Sequence, residues 1–308
     1  MANWCSRDRS KNPDAPDAVS TFFLQTIVDG IAGGAVLALL AVGLSVTFRL
    51  SKFVNIAHGD IATTGAYASF LILGVASLDF ITATLAGVVI AALVGYLSYL
   101  IVFRRLRNER PITLIITSVG VAFIVRYVIV FIWGSNQQSY DLPLMRAIRF
   151  AGLRINPYDL VIFIVCMLTF AILFVIIRYT SHGRAMRAVA DNPQLARVAG
   201  LSTEAVLARI WLVASALSGL AGILLAAKTV ITPYLGWYML LPAFAAMIFG
   251  GIGSIGGTLI AGLILGVVSE LAAAYWLPTY RVAAIFGVIV LVLMVRPQGL
   301  LGIKTVAR

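Results

Sequence analysis

Long apolar stretches alternate with short polar ones along most of the chain, and none shows the every-other-residue alternation of a barrel strand. Residues 22–48, 81–103, 111–133, 160–177, 210–227, 258–276 and 282–295 are apolar runs of helix length, close to what a helix needs to cross a bilayer. Residues 61–75 mix Gly, Ala, Ser and Thr into such a run, the composition of a helix that packs closely on its neighbours. Residues 239–249 span only roughly 16 Å as a helix, short of a hydrocarbon core of about 30 Å unless 234–238 contribute. The pattern predicts an all-α, polytopic integral membrane protein with roughly 8–10 transmembrane or partial helices.

Composition agrees: 61% of the 308 residues are hydrophobic and 11% charged, too little polar surface to clothe a water-soluble globule. The net charge of +11 sits in short clusters at the ends of apolar runs, without aromatic interleaving, so it points to membrane topology and not to nucleic acid. Arg104, Arg105, Arg107 and Arg110 form the densest cluster, and the basic residues of 178–209 form another. Both are expected in the cytoplasm, which puts 134–156 outside despite Arg146, Arg149 and Arg154, the amino terminus outside, and the carboxyl terminus inside with Arg296, Lys304 and Arg308. Residues 1–20 read as a disordered tail, 21–303 as one membrane domain whose first run stays in place as a span, and 304–308 as a short tail. Cys5 and Cys166 imply no disulfide framework.

The most structured polar stretch is 181–205. Pro193 suits the first turn of a helix, Asn192 its N-cap and Gly200 the position past its end, so a short amphipathic helix outside the bilayer is expected. Arg184, Arg187 and Arg197 keep it in water, while Ala185, Ala188, Ala196 and Ala199 offer small residues for close docking. The segment serves either topology alone or a partner.

The other motifs carry little chemistry. Gly251-x-Gly253-x-x-Gly256 matches a dinucleotide fingerprint with Glu270 at the acid position, but membrane helices flank it where a strand and a soluble crossover are required. Gly251 to Thr258 outlines a Walker A loop with Gly257 at the lysine position, so ATP hydrolysis by this chain is not expected. Gly251, Gly253, Gly257, Gly262 and Gly266 are read as helix-packing and turn positions. His58 and His182 stand apart from other ligand types, so no metal site is expected, and no nucleophile–base set or zinc motif supports catalysis. The polar residues of Asn55–Asp60 either cap a helix start or line a conduit. Among Asp29, Arg126, Asp159 and Glu270, the intramembrane charges, Asp159 reads as interfacial; Arg126 and Glu270 lie at similar height, roughly 20 Å from the inner helix ends, where they either pair or line a path. Asn55, His58, Arg126 and Glu270 are the candidate pathway residues.

Four stretches together resemble the permease subunits of ATP-binding-cassette importers for branched-chain amino acids, the LivH-type family. They are Asn55-Ile-Ala-His-Gly-Asp with Gly65-Ala-Tyr67, Gly183-Arg-Ala-Met-Arg-Ala to Gly200, Phe249-Gly-Gly-Ile-Gly-Ser-Ile-Gly-Gly257, and Arg296-Pro-Gln-Gly-Leu-Leu-Gly302. The likeness runs over most of the chain; Gly256 stands where many relatives carry proline. The resemblance implies that 181–205 holds the coupling helix that docks on an ATPase, with Arg184, Arg187, Ala190, Asn192, Ala196 and Gly200 in it. It further implies two ATPase subunits that hold ATP and Mg, a second permease subunit, identical or homologous, and a periplasmic substrate-binding protein, all at a bacterial inner membrane. No cofactor is expected on this chain. Urea and short amides are substrates associated with the same family, and a secondary transporter or channel without an ATPase is the alternative from another class.

Overall fold

The computed structural model describes residues 15–76, 79–143, 145–150, 153–296 and 298–302. Among the described residues eleven α-helices follow one another: α1 (Ala15–Ser51), α2 (Ala57–Ala76), α3 (Phe80–Ser98, continued by a π-turn at Tyr99–Phe103), α4 (Pro111–Trp133), α5 (Pro157–Tyr179), α6 (Ser181–Asp191), α7 (Pro193–Val198), α8 (Thr203–Lys228), α9 (Leu235–Gly250), α10 (Ile255–Tyr275) and α11 (Arg281–Val295). Between α4 and α5 lies a small antiparallel hairpin, β1 (Ile148–Phe150) and β2 (Leu153–Ile155), with Arg149 opposite Arg154. Seven of these helical segments are long and apolar enough to cross a bilayer; α2, whose first turn holds His58 and Asp60, and the 16-residue α9 complete the bundle. The polytopic helical architecture expected from the pattern is the one found.

The helices that span are apolar all round, which is what a helix surrounded by helices or by lipid requires. Helix α1 is the axis. Ala35, Ala38, Leu39, Ala41, Val42 and Leu44 are fully enclosed, because α8, α9, α10 and α5 surround it. Helices α3, α4, α5 and α11 form the outer layer and turn large apolar side chains such as Ile124, Phe131, Leu168 and Met294 outward. In water such a surface would aggregate; against lipid chains it is the ordinary one.

Close backbone approach joins α1 and α10. A methyl at Gly262 would fall 2.5 Å from Ala38 Cα, one at Gly30 would fall 2.7 Å from Val267 Cα, and Gly266 faces Gly34 with no room for a side chain. Gly262 and Gly266 therefore pack helices as expected. Gly262→Val should cost about 1–3 kcal/mol or more by overpacking, seen as a lower unfolding temperature in detergent. Gly257 sits equally tightly against Gly250. Gly251 and Gly253 do something else. With φ of +99° and +83° they occupy left-handed backbone in the turn between α9 and α10, so the Gly253–Gly257 spacing is a turn followed by a helix start and not a packing stripe.

Other boundaries shift for local reasons. Helix α1 is already formed at Ala15, inside the stretch read as tail, while residues 1–14 and 303–308 lie outside the described residues. Helix α9 starts at Leu235 and contains Pro242, so the sequence 235–238 does extend the short apolar run. Helix α2 starts at Ala57, four residues before the apolar run, because His58, Gly59 and Asp60 form its first turn.

The two basic clusters meet at one end of the bundle. Arg104 pairs with Glu204 at 2.9 Å, and Arg107 and Arg197 both donate to Thr203 Oγ1, at 2.9 and 3.1 Å. At the other end Asp159 pairs with Lys228 at 2.8 Å, Gln138 bridges to Ile231, and Gln25 exchanges two 2.9 Å hydrogen bonds with the Arg154 backbone. Asp159 thus stands in the first turn of α5, paired with the end of α8, and 134–156 lies opposite the basic clusters.

Candidate functional site

Between α1 and α2 the chain leaves helical geometry for five residues, with Lys52 exposed and Phe53 and Asn55 buried. Lys52 takes a φ of +58°, rare for a residue with a side chain, and Phe53 is driven into an aromatic cluster. Its ring stacks on Phe103 with centroids 5.5 Å apart, and Phe103 stacks on Trp211 at 4.7 Å. The π-turn at the end of α3 places Phe103, and Tyr99 beside it, in this cluster, fixing the elbow against α3 and α8.

Breaking a helix inside an apolar bundle exposes backbone groups that must find partners. Ser118 Oγ of α4 accepts from Ile56 N–H at 3.1 Å, Ser218 Oγ of α8 donates to His58 C=O at 2.6 Å, and Thr63 Oγ1 accepts from Gly236 N–H at 3.0 Å. His58 Nε2 lies 3.2 Å from Leu40 C=O, so the imidazole is held by α1, and neither histidine belongs to a cluster of metal-ligand types among the described residues. Hydroxyls of α4 and α8 thus serve the elbow, while Thr63 of α2 caps the start of α9.

Asp60 closes the arrangement. It is fully buried and accepts from Arg126 Nε at 2.8 Å and Nη2 at 2.9 Å, a two-point pair between the first turn of α2 and the middle of α4. The guanidinium also lies 4.5 Å from the centre of the Trp237 ring, 5.3 Å from Tyr234 and 5.5 Å from Phe123. The carboxylate sits at a helix N-terminus, where the backbone partial charge favours it. Arg126 is therefore neutralised by Asp60, backed by the aromatic rings at the start of α9, and not free to coordinate a solute with its charge.

Asn55 behaves differently. It is 1% exposed, and neither its Oδ1 nor its Nδ2 has a hydrogen-bond partner among the described residues. It keeps a donor and an acceptor available in the middle of the elbow.

Glu270 does not join this group. It pairs with Arg281 at 2.9 Å across the turn from α10 to α11, so the expectation that Arg126 and Glu270 could pair is corrected. Height along a helix put them level, but each side chain faces a different neighbour. Asp29 is bonded by Gln25 Nε2 at 3.0 Å, one turn earlier on α1. The sequence missed Asp60 as the partner of Arg126 because it read the residue as one of several helix-start polar groups, and several acids could have answered the one arginine within the apolar runs.

The 181–205 segment forms two surface helices; α7 has the expected caps, and α6 adds a Thr180 cap that the sequence reading did not name. Thr180 Oγ1 accepts from Gly183 N–H at 3.2 Å, Asn192 Oδ1 accepts from both Gln194 and Leu195 N–H at 3.0 Å, Pro193 opens α7, and Gly200 has a φ of +82°. In α6, Gly183, Met186 and Val189 face inward at three-residue spacing, while Arg184 and Ala188 face out and Ala190 is half-buried. Arg187 bends back to donate to Ile177 C=O. One expectation is corrected here: Ala196 is 4% exposed and packs on the protein itself, whereas Leu195 and Val198 are 66% and 87% exposed. The outward side of α7 carries Leu195 and Val198 beside the exposed Gln194 and Arg197, and Ala196 is the residue small enough to fit underneath.

A bundle with an apolar outer surface, a hydrogen-bonded break between its first two helices and one amphipathic helix pair at its basic end fits a multi-pass membrane protein. Comparison with known proteins makes this specific. The family model of the permease component of branched-chain amino acid transport systems matches residues 26–295. The high-affinity branched-chain amino acid transport system permease protein LivH of Escherichia coli is 32% identical over 298 residues, covering 91% of this chain and 96% of LivH. BraD of Pseudomonas aeruginosa, described in the same terms, is 28% identical with 91% and 96% covered, and LivM of Escherichia coli is 29% identical with 85% of this chain and 67% of LivM covered. The chain belongs to the family of branched-chain amino acid transport system permease components.

Proposed function

We propose that the chain is the membrane-spanning subunit of an ATP-binding-cassette importer that carries branched-chain amino acids into a bacterial cytoplasm. The match of residues 26–295 to the permease family carries this reading. Supporting it, the segment that resembles a coupling helix is a capped helix pair with exposed Leu195 and Val198 at the end of the bundle that gathers the arginine clusters. The positive-inside rule assigns that end, and the carboxyl terminus with it, to the cytoplasm. Two ATPase subunits dock there and hold the ATP and Mg; this chain binds no cofactor and catalyses no reaction. A periplasmic binding protein delivers solute to the opposite end. The likeness to both LivH and LivM favours a second permease subunit that is homologous and not identical.

We place the polar break of the conduit at the elbow around Asn55, whose unpartnered amide is buried in this conformation and would meet a solute as the bundle opens. Asn55→Leu should leave thermal stability unchanged or slightly higher, since the amide has no protein partner to lose, while lowering uptake. A large drop in unfolding temperature would make Asn55 structural instead.

The whole reading is tested by reconstituting the chain in liposomes with its candidate ATPases, second permease and binding protein. Leucine, isoleucine or valine should stimulate ATP hydrolysis and uptake. Stimulation by urea or short amides alone would move the substrate, and uptake by the chain alone under an ion gradient would make it a secondary transporter.

A further inference from the structure

Helices α5 and α10 each pack on α1 rather than on one another, so at the basic end of the bundle a cleft of about 630 Å³ opens between them. Its upper walls are Phe170 and Phe174 of α5 and Leu259 of α10, with Phe174 56% exposed toward the bilayer side. Its lower rim carries Arg49 from the end of α1, Arg178 from the end of α5 and Arg187 from α6. No acidic side chain lines it, and none of the three guanidiniums enters an ion pair among the described residues; Arg187 has only its bond to Ile177 C=O. Arg178 and Arg187 belong to the 178–209 basic cluster, but topology alone does not require three unpaired charges to converge from three helices on one cleft.

Apolar walls within the hydrocarbon and uncompensated guanidiniums where the helices end are the two halves of a phospholipid's surroundings. Planar guanidiniums match phosphate oxygens by paired hydrogen bonds, and basic pockets between helices at the cytoplasmic face select anionic headgroups. We propose that this cleft binds an anionic phospholipid of the inner leaflet, with its phosphate among Arg49, Arg178 and Arg187 and an acyl chain along Phe170, Phe174 and Leu259. The leaflet rests on the orientation proposed above; the site itself does not. Because Arg187 belongs to α6, the lipid would tie the surface helix pair to α1 and α5.

The test uses the full chain purified in neutral detergent and needs neither transport nor an ATPase, so its outcome is independent of the functional reading. Thermal unfolding is followed while dioleoylphosphatidylglycerol, dioleoylphosphatidylcholine or inorganic phosphate is added. Phosphatidylglycerol should raise the unfolding temperature in a saturable, salt-sensitive way, and the other two should not. Arg49→Gln with Arg178→Gln should weaken the lipid's effect roughly 30-fold, at about one basic residue's contribution each. Arg105→Gln with Arg110→Gln, removing the same charge elsewhere on that end, should leave it within about twofold. Should the Arg49 variant start out destabilised, Arg178→Gln alone serves, as that side chain is exposed. An equal response to phosphatidylcholine, a full response to inorganic phosphate alone, or equal losses in the two double variants would overturn the proposal.

Discussion

Arg126→Met should lose most of its folded protein. The substitution leaves Asp60, fully buried on α2, as an uncompensated carboxylate between apolar helices, and breaking such a pair costs roughly 3–5 kcal/mol. It also strips Trp237, Tyr234 and Phe123 of the cation they surround, another contribution of about 1–2 kcal/mol in a desolvated setting. Asp60→Asn should be damaging for the mirror reason, since the guanidinium then keeps its charge with no counterion. The double replacement, Asp60→Asn with Arg126→Met, removes both charges and should recover a large part of the loss. Detergent-solubilised yield and unfolding temperature of the four proteins give the cycle. A single Arg126→Met variant that melts with the native chain, or a double variant no better than the worse single one, would show that the pair does not hold α2 to α4.

The same pair marks what could be read from the sequence and what could not. The caps of α7 were legible because they are local: Asn192 two and three residues before the amides it binds, Pro193 at a first turn and Gly200 past an end are fixed by chain geometry alone. Gly262 and Gly266 were legible because a four-residue spacing of glycines has one main use in an apolar helix. Pairing between helices was not. A helix that is apolar on every side gives no periodic signal of which face meets which neighbour, so Arg126 could be placed in height but not in direction. Its partner Asp60 and the partner of Glu270, Arg281, both had to come from the packed structure. Gly253 misled for a related reason: spacing cannot distinguish a glycine kept for a neighbouring helix from one kept for a left-handed turn.

On α7 that limit has a functional consequence. Leu195→Asp combined with Val198→Asp should abolish productive coupling, lowering uptake and substrate-stimulated ATP hydrolysis by roughly tenfold or more while leaving the chain's own unfolding temperature unchanged. The reasoning is that both side chains are exposed apolar groups, 66% and 87%, so charging them costs the isolated chain little but places two carboxylates in any apolar docking surface. Ala196→Phe should do the reverse of what its small size first suggests. Ala196 is 4% exposed and packs under α7, so a bulky ring there overfills the protein by about 1–3 kcal/mol and lowers the unfolding temperature before any partner is added. Arg187→Glu falls between them, since the guanidinium holds the end of α5 through the Ile177 carbonyl as well as facing the cleft beside α10. Co-purification with the ATPase, uptake and unfolding temperature measured on the same three variants separate docking from folding. Normal co-purification and uptake with both aspartates in place would remove α7 from the docking surface and leave the outward side of α6, with Arg184 and Ala188, as the face that meets the ATPase.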